Sequence, residues 1–281
     1  MEYLAKPDWL RIRLGNNADF AQTGKIVKSQ GLHTICESGR CPNLGECWNN
    51  RTATFMIAGE ICTRRCKFCN TLSGKPLPLD EDEPQKIAES IRQLNLKHAV
   101  ITSVDRDDLP DFGVVHWVNT ILKIKELNPD TTIEVLIPDF RGKTNLLDLI
   151  IQTKPEIIAH NIETVRRLTP LVRSVAQYET SLSVLKQIAM AGIRCKSGLM
   201  LGLGETEEEI RETLHDLCAA GCRFLSIGQY LQPSKKNIPV AAYIHPDTFE
   251  KYKTEALSIG FRYVESGPLV RSSYHSMDCL K

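Results

Sequence analysis

The stretch IRCKSGLMLGLGETEEEIRETLHDLCAAG, from Ile193 to Gly221, contains one strand pattern followed by one helix pattern. It begins with a mostly apolar run that is typical of a buried strand. Thr206 and Glu209 have the spacing of a capping box, which marks the start of a helix, and Gly221 is a typical residue at a helix end. The helix predicted over Glu207–Ala220 has apolar residues at helical spacing, which form one buried stripe. They are Ile210, Leu214, Leu217 and Cys218.

The same alternation of a strand pattern with a helix pattern occurs six times between residues 53 and 259. The predicted strands are Ala53–Ala58, His98–Ser103, Thr132–Ile137, Glu156–His160, Ile193–Leu201 and Arg223–Ile227. The predicted helices are Pro84–Leu94, Val114–Leu127, Asn145–Thr153, Glu179–Ala191, Glu207–Ala220 and Asp247–Ile259. This alternation predicts an α/β fold with a parallel sheet, here a partial (β/α)6 TIM-like barrel with N- and C-terminal extensions.

The patterns divide the chain into three parts. Residues 1–52 form an N-terminal extension, residues 53–260 the partial barrel, and residues 261–281 a C-terminal tail. The tail begins with a short extra strand pattern at Phe261–Val264 and continues as a loop at Gly267–Tyr274. Folds of this kind bind ligands at the carboxyl ends of their strands, so we expect the loops that follow the strands to carry the chemistry.

The composition is that of an ordinary folded protein. Of the 281 residues, 42% are hydrophobic and 25% are charged, and the formal net charge is +1. This balance excludes a largely disordered chain and gives no overall attraction to nucleic acid or to an anionic membrane. No apolar run is long enough for a transmembrane helix, and Met1–Leu14 lacks the apolar core of a secretory signal. We therefore expect a cytoplasmic protein that binds neither nucleic acid nor membrane.

Six of the ten cysteines lie in two groups of three. The later group, here called the downstream triplet, reads Cys62-Thr-Arg-Arg-Cys66-Lys-Phe-Cys69 and follows the first predicted strand. In a reducing compartment, clustered thiols hold metal more often than they form disulfides. Three thiolates can bind a four-iron cluster and leave one iron open to an external ligand. Zinc is the alternative, but it would need a fourth ligand, and no histidine lies within this group.

The earlier group, here called the upstream triplet, reads Cys36-Glu-Ser-Gly-Arg-Cys41-Pro-Asn-Leu-Gly-Glu-Cys47. Its spacings are wider than those of the usual zinc pairs. Gly39 and Gly45 allow the backbone to wrap around a bound group. A zinc site that uses His33 is the alternative interpretation.

The downstream triplet, placed after the first strand, resembles the cluster motif of the radical S-adenosylmethionine (SAM) enzymes. The upstream sequence, from His33 through Cys47, narrows the resemblance to the lipoyl synthase family. Three further stretches resemble the same family, namely Gly198–Glu205, Ile227–Pro233 and Arg271–Tyr274. The resemblance covers about residues 8 to 276.

This resemblance implies a sulfurtransferase of lipoate biosynthesis and protein lipoylation. Such an enzyme inserts two sulfur atoms, at C6 and C8, into an octanoyl group that is already linked to a lysine of a carrier domain. The implied carriers are the E2 lipoyl domains of 2-oxoacid dehydrogenases and the H protein of glycine cleavage. The implied cofactors are SAM and two 4Fe–4S clusters. The other implied partners are a ferredoxin or flavodoxin as reductant and an iron–sulfur carrier that repairs the spent cluster.

The resemblance also implies a division of labour between the two cysteine groups. The downstream triplet would hold the catalytic cluster that binds and cleaves SAM. The upstream triplet would hold a second cluster, which donates the sulfur. The fourth ligand of that second cluster would be Ser273, with Ser272 as the alternative. The alternative for the whole Arg271–Tyr274 stretch is an ordinary polar turn.

Three residues are implied as contacts of SAM: Asn161, Glu163 and Arg173. A helix cap is the competing role for Asn161. Two compatible roles are expected for Gly198–Glu205. Its glycines would allow the backbone to approach the adenosyl group closely, and the stretch would form a tight turn between strand and helix. It is not a phosphate-binding loop, because no Lys-Ser/Thr pair follows its last glycine.

Two other classes of protein compete with this assignment. Biotin synthase also adds sulfur to unactivated carbon, but the upstream triplet is not its pattern. A non-catalytic electron carrier would need neither a barrel nor an adenosyl site.

Among the remaining cysteines, we expect Cys195, Cys218 and Cys222 to be small buried side chains and Cys279 to lie in a frayed tail. The three cations between the downstream cysteines either form a solvated loop, or offset cluster charge, or face an acidic carrier. They are Arg64, Arg65 and Lys67.

Overall fold

The computed structural model describes residues 5–11, 18–50 and 52–281. Residues 1–4, 12–17 and 51, all within the predicted N-terminal extension 1–52 and partly within Met1–Leu14, lie outside the described residues. In the described part of the chain, no helix has the length and apolar character that a membrane crossing requires.

The described residues contain the predicted strands together with several short ones. They are β1 His33–Thr34, β2 Thr54–Ile57, β3 Ile61–Cys62, β4 Leu72–Ser73, β5 His98–Ser103, β6 Thr132–Leu136, β7 Ile157–Ala159, β8 Arg194–Leu201, β9 Phe224–Gln229 and β10 Tyr263–Gly267. All six predicted barrel strands are found within two residues of their predicted ends. The extra strand predicted in the tail is also present, as β10.

The described residues also contain the six predicted helices together with several others, most of them shorter. They are α1 Ala18–Ser29, α2 Ile35–Ser38, α3 Leu44–Asn49, α4 Glu83–Leu94, α5 Val114–Leu127, α6 Thr144–Gln152, α7 Thr169–Val172, α8 Tyr178–Met190, α9 Glu207–Ala219 and α10 Pro246–Ile259. Short 3-10 helices occupy Asp8–Leu10, Phe140–Gly142 and Ser276–Leu280. The capping box at the start of α9 is confirmed, because the Thr206 side chain accepts from the Glu209 N–H and the Glu209 carboxylate accepts from the Thr206 N–H.

The chain forms two compact units. Among the described residues, the first unit comprises 18–50, 52–65 and 70–158, and the second comprises 5–11, 66–69 and 159–281. In the first unit, β2, β5 and β6 are parallel neighbours, and β1 pairs with β2 in the antiparallel direction. The antiparallel β1 is not part of the strand–helix repeat, and its two residues are too few to give a recognisable sequence pattern.

In the second unit, β8, β9 and β10 are parallel neighbours. Their register aligns Gly198 with Ser226 and Ser226 with Glu265. The Ser266 hydroxyl, one residue farther along β10, donates to the carbonyl of Phe249 in α10, so this side of the strands faces helices. Because side chains alternate along a strand, Gly198, Ser226 and Glu265 face away from that helix layer. This inner face carries the site described below.

Candidate functional site

The upstream triplet lies on two short helices of the first unit and the turn between them. Helix α2 carries Cys36 and is capped by Thr34, whose side chain accepts a hydrogen bond from the Glu37 N–H at 3.3 Å. The N–H of Cys41 donates to the carbonyl of Cys36 at 3.0 Å, which folds the turn back onto α2. Cys47 lies on α3. These local bonds place the three thiols on one compact segment.

Gly39 makes the turn between the first two cysteines possible. A Cβ at this position would lie 2.7 Å from the carbonyl oxygen of Ile35, closer than any side chain tolerates. Arg40 follows with a φ of 49°, in the left-handed region. The predicted role of Gly39 in wrapping the backbone is therefore supported by its local packing.

The three thiols of the upstream triplet influence one another electrostatically. Burial raises the pKa of Cys36 to about 11, and Cys41 adds to the increase. Burial raises the pKa of Cys47 to about 12, with further contributions from Cys36 and Cys41. Thiols with raised pKa values, such as Cys36 and Cys47, ionise together only when positive charge offsets the thiolates. The site therefore suits a group such as an iron–sulfur cluster, which binds thiolates and supplies that charge.

The segment that carries Cys47 is braced from the side by α1. The Thr23 hydroxyl donates to the carbonyl of Trp48 at 3.1 Å, and the Trp48 side chain is buried. Gly24 lies against the Trp48 ring, since a Cβ there would approach it to 2.9 Å. The N-terminal helix thus fixes α3 and the cysteine on it.

Cys62, the first member of the downstream triplet, lies at the end of β3 in the first unit. Its Sγ accepts the N–H of Arg64 at 3.4 Å and the N–H of Asp105 at 3.3 Å. The same sulfur lies 3.8 Å from Asp105 Oδ2, which favours the thiol, whereas the two N–H donors stabilise the thiolate that a bound cluster requires.

Arg64 is buried in a group of three carboxylates. Its side chain is 3% exposed, and its guanidinium contacts Asp107 at 3.0 Å, Asp139 at 2.7 Å and Asp105 at 3.2 Å. Burial alone would lower the pKa of Arg64, but its bonds to Asp107, Asp105 and Asp139 raise it above the ordinary value. Arg64 is therefore neither part of a solvated loop nor exposed toward a carrier. The acidic partners of Arg64 were not predicted from the sequence, although two of them, Asp105 and Asp107, lie in the loop directly after β5, where functional residues were expected.

The other two downstream cysteines lie on residues 66–69 of the second unit, and two neighbouring segments hold this loop. The N–H of Lys67 donates to the carbonyl of Val172 at 2.8 Å, and the carbonyl of Lys67 accepts from the N–H of Ile238 at 3.0 Å. The Asn237 side chain donates to the carbonyl of Cys69 at 2.8 Å. The Sγ of Cys66 lies 3.7 Å from the Ser174 hydroxyl.

The structure brings Asn161, Glu163 and Arg173 together in the second unit. The Asn161 amide donates to Glu163 Oε1 at 3.2 Å. Burial raises the pKa of Glu163, whereas Arg173 and Asn161 act in the opposite direction. Helix α7 begins well after Asn161, so the alternative in which Asn161 caps a helix is wrong.

Two atoms of this group are buried and have no hydrogen-bond partner among the described residues. They are Asn161 Oδ1 and Arg173 Nε. Gly198, on the inner face of β8, makes room for Asn161, since a Cβ at Gly198 would lie 2.7 Å from Asn161 Oδ1. A buried acceptor and a buried cationic donor that lack partners fit a ligand with both polar and charged groups, such as SAM.

The Gly198–Glu205 stretch forms a tight turn after β8. The Glu205 carboxylate accepts the N–H groups of Gly202 and Leu203 at 2.5 and 2.9 Å. Gly202 has a φ of 99°, and the Gln229 side chain occupies the space a Cβ would need. The prediction of a strand-to-helix turn is confirmed for Gly202, while Gly198 provides a close approach for Asn161.

The tail returns across the carboxyl ends of β9 and β10. Arg271 Nη1 donates to the carbonyls of Val270 at 2.7 Å and Gln229 at 3.3 Å. The carbonyl of Val270 occupies the space that a side chain at Gly228 would need. Ser272 and Ser273 follow directly, half-buried, and neither hydroxyl has a hydrogen-bond partner among the described residues.

Of the predictions for the four remaining cysteines, the one for Cys279 is wrong. Cys195 and Cys222 are buried as predicted, and Cys218 is half-buried. Cys279 is buried rather than frayed, with an exposed fraction of 3%. It lies on the 3-10 helix Ser276–Leu280, near Tyr263 of β10, because β10 gives the tail a strand edge to pack against.

Within the described ranges, no three His, Cys, Asp or Glu side chains are arranged around a position for one metal ion. The zinc alternatives would require that arrangement. In a 4Fe–4S cluster each cysteine binds a different iron, so its ligands are spaced more widely.

Comparison with known proteins gives a consistent result. The family model of the Radical SAM superfamily matches residues 56–217. A lipoyl synthase of Parabacteroides distasonis is 64% identical over 275 residues, which cover 98% of each chain. A lipoyl synthase of Phocaeicola vulgatus is 62% identical over 281 residues, covering 100% of this chain and 99% of the relative.

Among solved structures, Streptococcus suis SuiB bound to its precursor peptide SuiA is similar with a TM-score of 0.61. The identity is 11%, and the match covers 75% of this chain and 48% of SuiB. At that identity the similarity concerns the fold alone. It confirms the predicted α/β class with mostly parallel strands.

Proposed function

This chain belongs to the lipoyl synthase family of radical SAM enzymes, and we propose that its two cysteine triplets divide the reaction between them. The reaction inserts sulfur at C6 and C8 of an octanoyl group on a carrier-domain lysine, which gives a lipoyl-lysine. The downstream triplet holds one 4Fe–4S cluster, and the upstream triplet holds the other. The observation that carries this proposal is the compact segment of α2, the following turn and α3, which holds Cys36, Cys41 and Cys47 together as a second cluster site separate from the motif at Cys62.

The chemistry supplied by the bound groups is reductive cleavage of SAM, hydrogen abstraction from the octanoyl chain, and transfer of sulfide from the second cluster. The residues of the chain bind and orient these groups. The amides of Arg64 and Asp105 donate to the Cys62 sulfur. The Arg173 guanidinium binds the SAM carboxylate as a fork of two N–H donors. Its buried Nε, which has no hydrogen-bond partner among the described residues, supports this role.

Asn161 and Glu163 complete the SAM site on this proposal. Asn161 Oδ1 accepts a hydrogen bond from the ligand, and Glu163 faces its positive charge. The Asn161 amide orients Glu163 through its hydrogen bond to Oε1 at 3.2 Å.

Ser273 serves as the fourth ligand of the second cluster. A hydroxyl ligand leaves iron more readily than a thiolate, which suits a cluster that is consumed. The support for Ser273 is its half-buried hydroxyl without a partner, on a turn held by Arg271. Ser272 shares the same turn and remains the alternative. On this proposal, the extension 1–52, the barrel 53–260 and the tail 261–281 supply the upstream triplet, the SAM site and Ser273, respectively.

The substrate is an octanoylated carrier domain. The partners proposed for this chain are those that the resemblance to the family implies. The carriers are E2 domains of 2-oxoacid dehydrogenases and the glycine-cleavage H protein. The reductant is a ferredoxin or flavodoxin, and an iron–sulfur carrier repairs the second cluster. Full-length similarity to lipoyl synthases favours this assignment over biotin synthase or a simple electron carrier.

Two single substitutions test the division of labour under strict anaerobiosis. Cys66→Ala should abolish cleavage of SAM to 5′-deoxyadenosine. Cys41→Ala should retain that cleavage but form no lipoyl product on an octanoyl-lysine peptide, as measured by mass spectrometry. A Cys41→Ala protein that still makes lipoyl-lysine would show that the upstream triplet is not the sulfur donor.

A further inference from the structure

The two amides that donate to the Cys62 sulfur belong to residues whose side chains are themselves paired. The N–H of Arg64 and the N–H of Asp105 lie 3.4 and 3.3 Å from Cys62 Sγ. The Arg64 Nε lies 3.2 Å from Asp105 Oδ1. One ion pair thus joins the two backbone segments that supply both donors.

The same guanidinium also contacts two more carboxylates. Arg64 Nε and Nη2 donate to the two oxygens of Asp107, each at 3.0 Å, and Nη2 also donates to Asp139 at 2.7 Å. A planar guanidinium presents several donors in a fixed fork, whereas a lysine ammonium is a single point charge that cannot reproduce it. The geometry around Arg64 is therefore specific to arginine.

The backbone around Cys62 is tied to the same loop. The Thr63 N–H and hydroxyl both donate to the carbonyl of Asp105, at 3.0 and 2.9 Å, and the Thr63 hydroxyl accepts the N–H of Asp107 at 3.1 Å. The carbonyl of Arg64 accepts from the Ser73 hydroxyl at 2.9 Å. The loop after β5 and the segment at Cys62 thus form one hydrogen-bonded unit with Arg64 at its centre.

From this geometry we propose that Arg64 is a positioning residue that fixes the two N–H donors at Cys62 and thereby sets the reduction potential of the cluster that Cys62 binds. The inference rests on the proposed function, because Cys62 must be a cluster ligand. Hydrogen bonds to cluster sulfurs stabilise the more negative, reduced state and raise the reduction potential. Arg64 acts through the backbone and touches neither SAM nor substrate in this role.

A purely electrostatic effect of the nearby charges is the alternative, and two substitutions separate it from positioning. Arg64→Lys keeps the positive charge but loses the fork. Electrostatics alone predicts no change of potential, while positioning predicts a decrease. Asp107→Asn removes a negative charge, so electrostatics predicts an increase, while positioning predicts a decrease because half of the fork to Arg64 is lost.

The experiment uses the full chain, reconstituted with iron and sulfide without oxygen and titrated electrochemically. The EPR signal that changes on addition of SAM identifies the downstream cluster. At a fixed potential we expect the ratio of reduced to oxidised cluster to fall about tenfold in Arg64→Lys, about 59 mV for one electron, and in the same direction in Asp107→Asn. Lys86→Gln is the control for the loss of one positive charge, because Lys86 pairs with Asp80 at 2.6 Å and not with the carboxylates around Arg64, and its potential should remain that of the wild type.

Thermal unfolding of each apoprotein and its iron content show whether a variant folds and binds its clusters. Loaded Arg64→Lys protein with the wild-type potential would overturn the inference and leave the proposed function intact. An increased potential in Asp107→Asn would also overturn it, in favour of simple electrostatics. Wild-type protein without any SAM-sensitive EPR signal would overturn the cluster assignment of Cys62 and the inference together.

Discussion

At the scale of single residues, the pocket around Asn161 depends on an absent side chain. Gly198 faces the inner side of β8, where a Cβ would lie 2.7 Å from Asn161 Oδ1. The conformation of Gly198 is an ordinary extended one, so the glycine is required by space and not by backbone strain. The Asn161 side-chain amide, which we propose contacts SAM, occupies the space that a Gly198 side chain would need.

We expect Gly198→Ala to weaken SAM binding about tenfold, or about 1.4 kcal/mol, because the new methyl group displaces Asn161. Equilibrium dialysis of SAM against cluster-loaded protein measures this. In an Asn161→Ala background the same substitution should have little further effect, since the displaced group is already gone. Additive losses in the double variant would show that Gly198 acts on something other than Asn161.

Asp107 illustrates how a single carboxylate links acid stability to the loop at Cys62. Burial alone would raise the pKa of Asp107, but hydrogen bonds from Arg64 and Arg141 lower it below its ordinary value of 3.8. The folded state therefore favours the ionised form. The stabilisation is fully present at neutral pH and is lost as the pH falls below about 4 through the folded-state pKa.

Asp107→Asn should lower the free energy of unfolding by about 1–3 kcal/mol at pH 7. The difference from wild type should shrink as the pH falls below about 4, because the wild-type carboxyl becomes protonated. Urea unfolding of apoprotein at a series of pH values measures both effects. Asp130→Asn is the control, since Asp130 is exposed and has no ion pair among the described residues, and it should change little at any pH.

At the scale of elements, the tail is fastened where two parallel strands end. Strand β10 extends the β8–β9 pair, and the chain then turns so that Val270 and Arg271 lie over Gly228. Arg271 holds this turn through the carbonyls of Val270 and Gln229. The position of the Ser272–Ser273 pair is therefore set by β9 and β10 rather than by the tail itself.

Gly228→Ala should displace the tail, because its methyl group would overlap the carbonyl of Val270. Hydrogen exchange of residues 268–281 should then increase, SAM cleavage should persist, and formation of lipoyl product should fall. Gly267→Ala is the matched control, since its Cβ would meet only a Val270 methyl group at 3.4 Å. Equal loss of both activities in Gly228→Ala would assign the tail a structural role only.

At the scale of the whole molecule, the ten cysteines divide into six in the two triplets and four elsewhere in the second unit. The six in the triplets lie on short helices, on loops and, for Cys62, at the end of the two-residue strand β3. Cys195 and Cys222, in contrast, are buried in the second unit, where the Cys195 thiol donates to the carbonyl of Leu185. The thiols with satisfied hydrogen bonds in the core serve packing.

Anaerobic reconstitution should give about eight irons per chain, from two 4Fe–4S clusters. Joint replacement of Cys36 and Cys47 by alanine should reduce the content to about four, as measured by iron and sulfide assays with EPR. Cys218→Ala should retain about eight irons, because Cys218 donates to the carbonyl of Ile259 and belongs to neither triplet. About four irons in the wild type would contradict the two-cluster assignment.

The sequence by itself determined the features that are local along the chain. The strand–helix repeat follows from the periodicity of apolar residues, and the start of α9 follows from Thr206 and Glu209, which are three positions apart. The spacing of each cysteine triplet is likewise a local pattern. Patterns of this kind are read within one element, where geometry fixes which residues share a face.

Only the tertiary structure decided which distant residues meet. Arg64 finds Asp105, Asp107 and Asp139 from 41 to 75 positions away, and no periodicity in the sequence marks that pairing. The burial of Cys279 likewise depends on a strand edge that β10 creates. Such contacts depend on how whole elements pack, so from the sequence Arg64 looks like one of two surface charges between Cys62 and Cys66 until the carboxylates around it are placed.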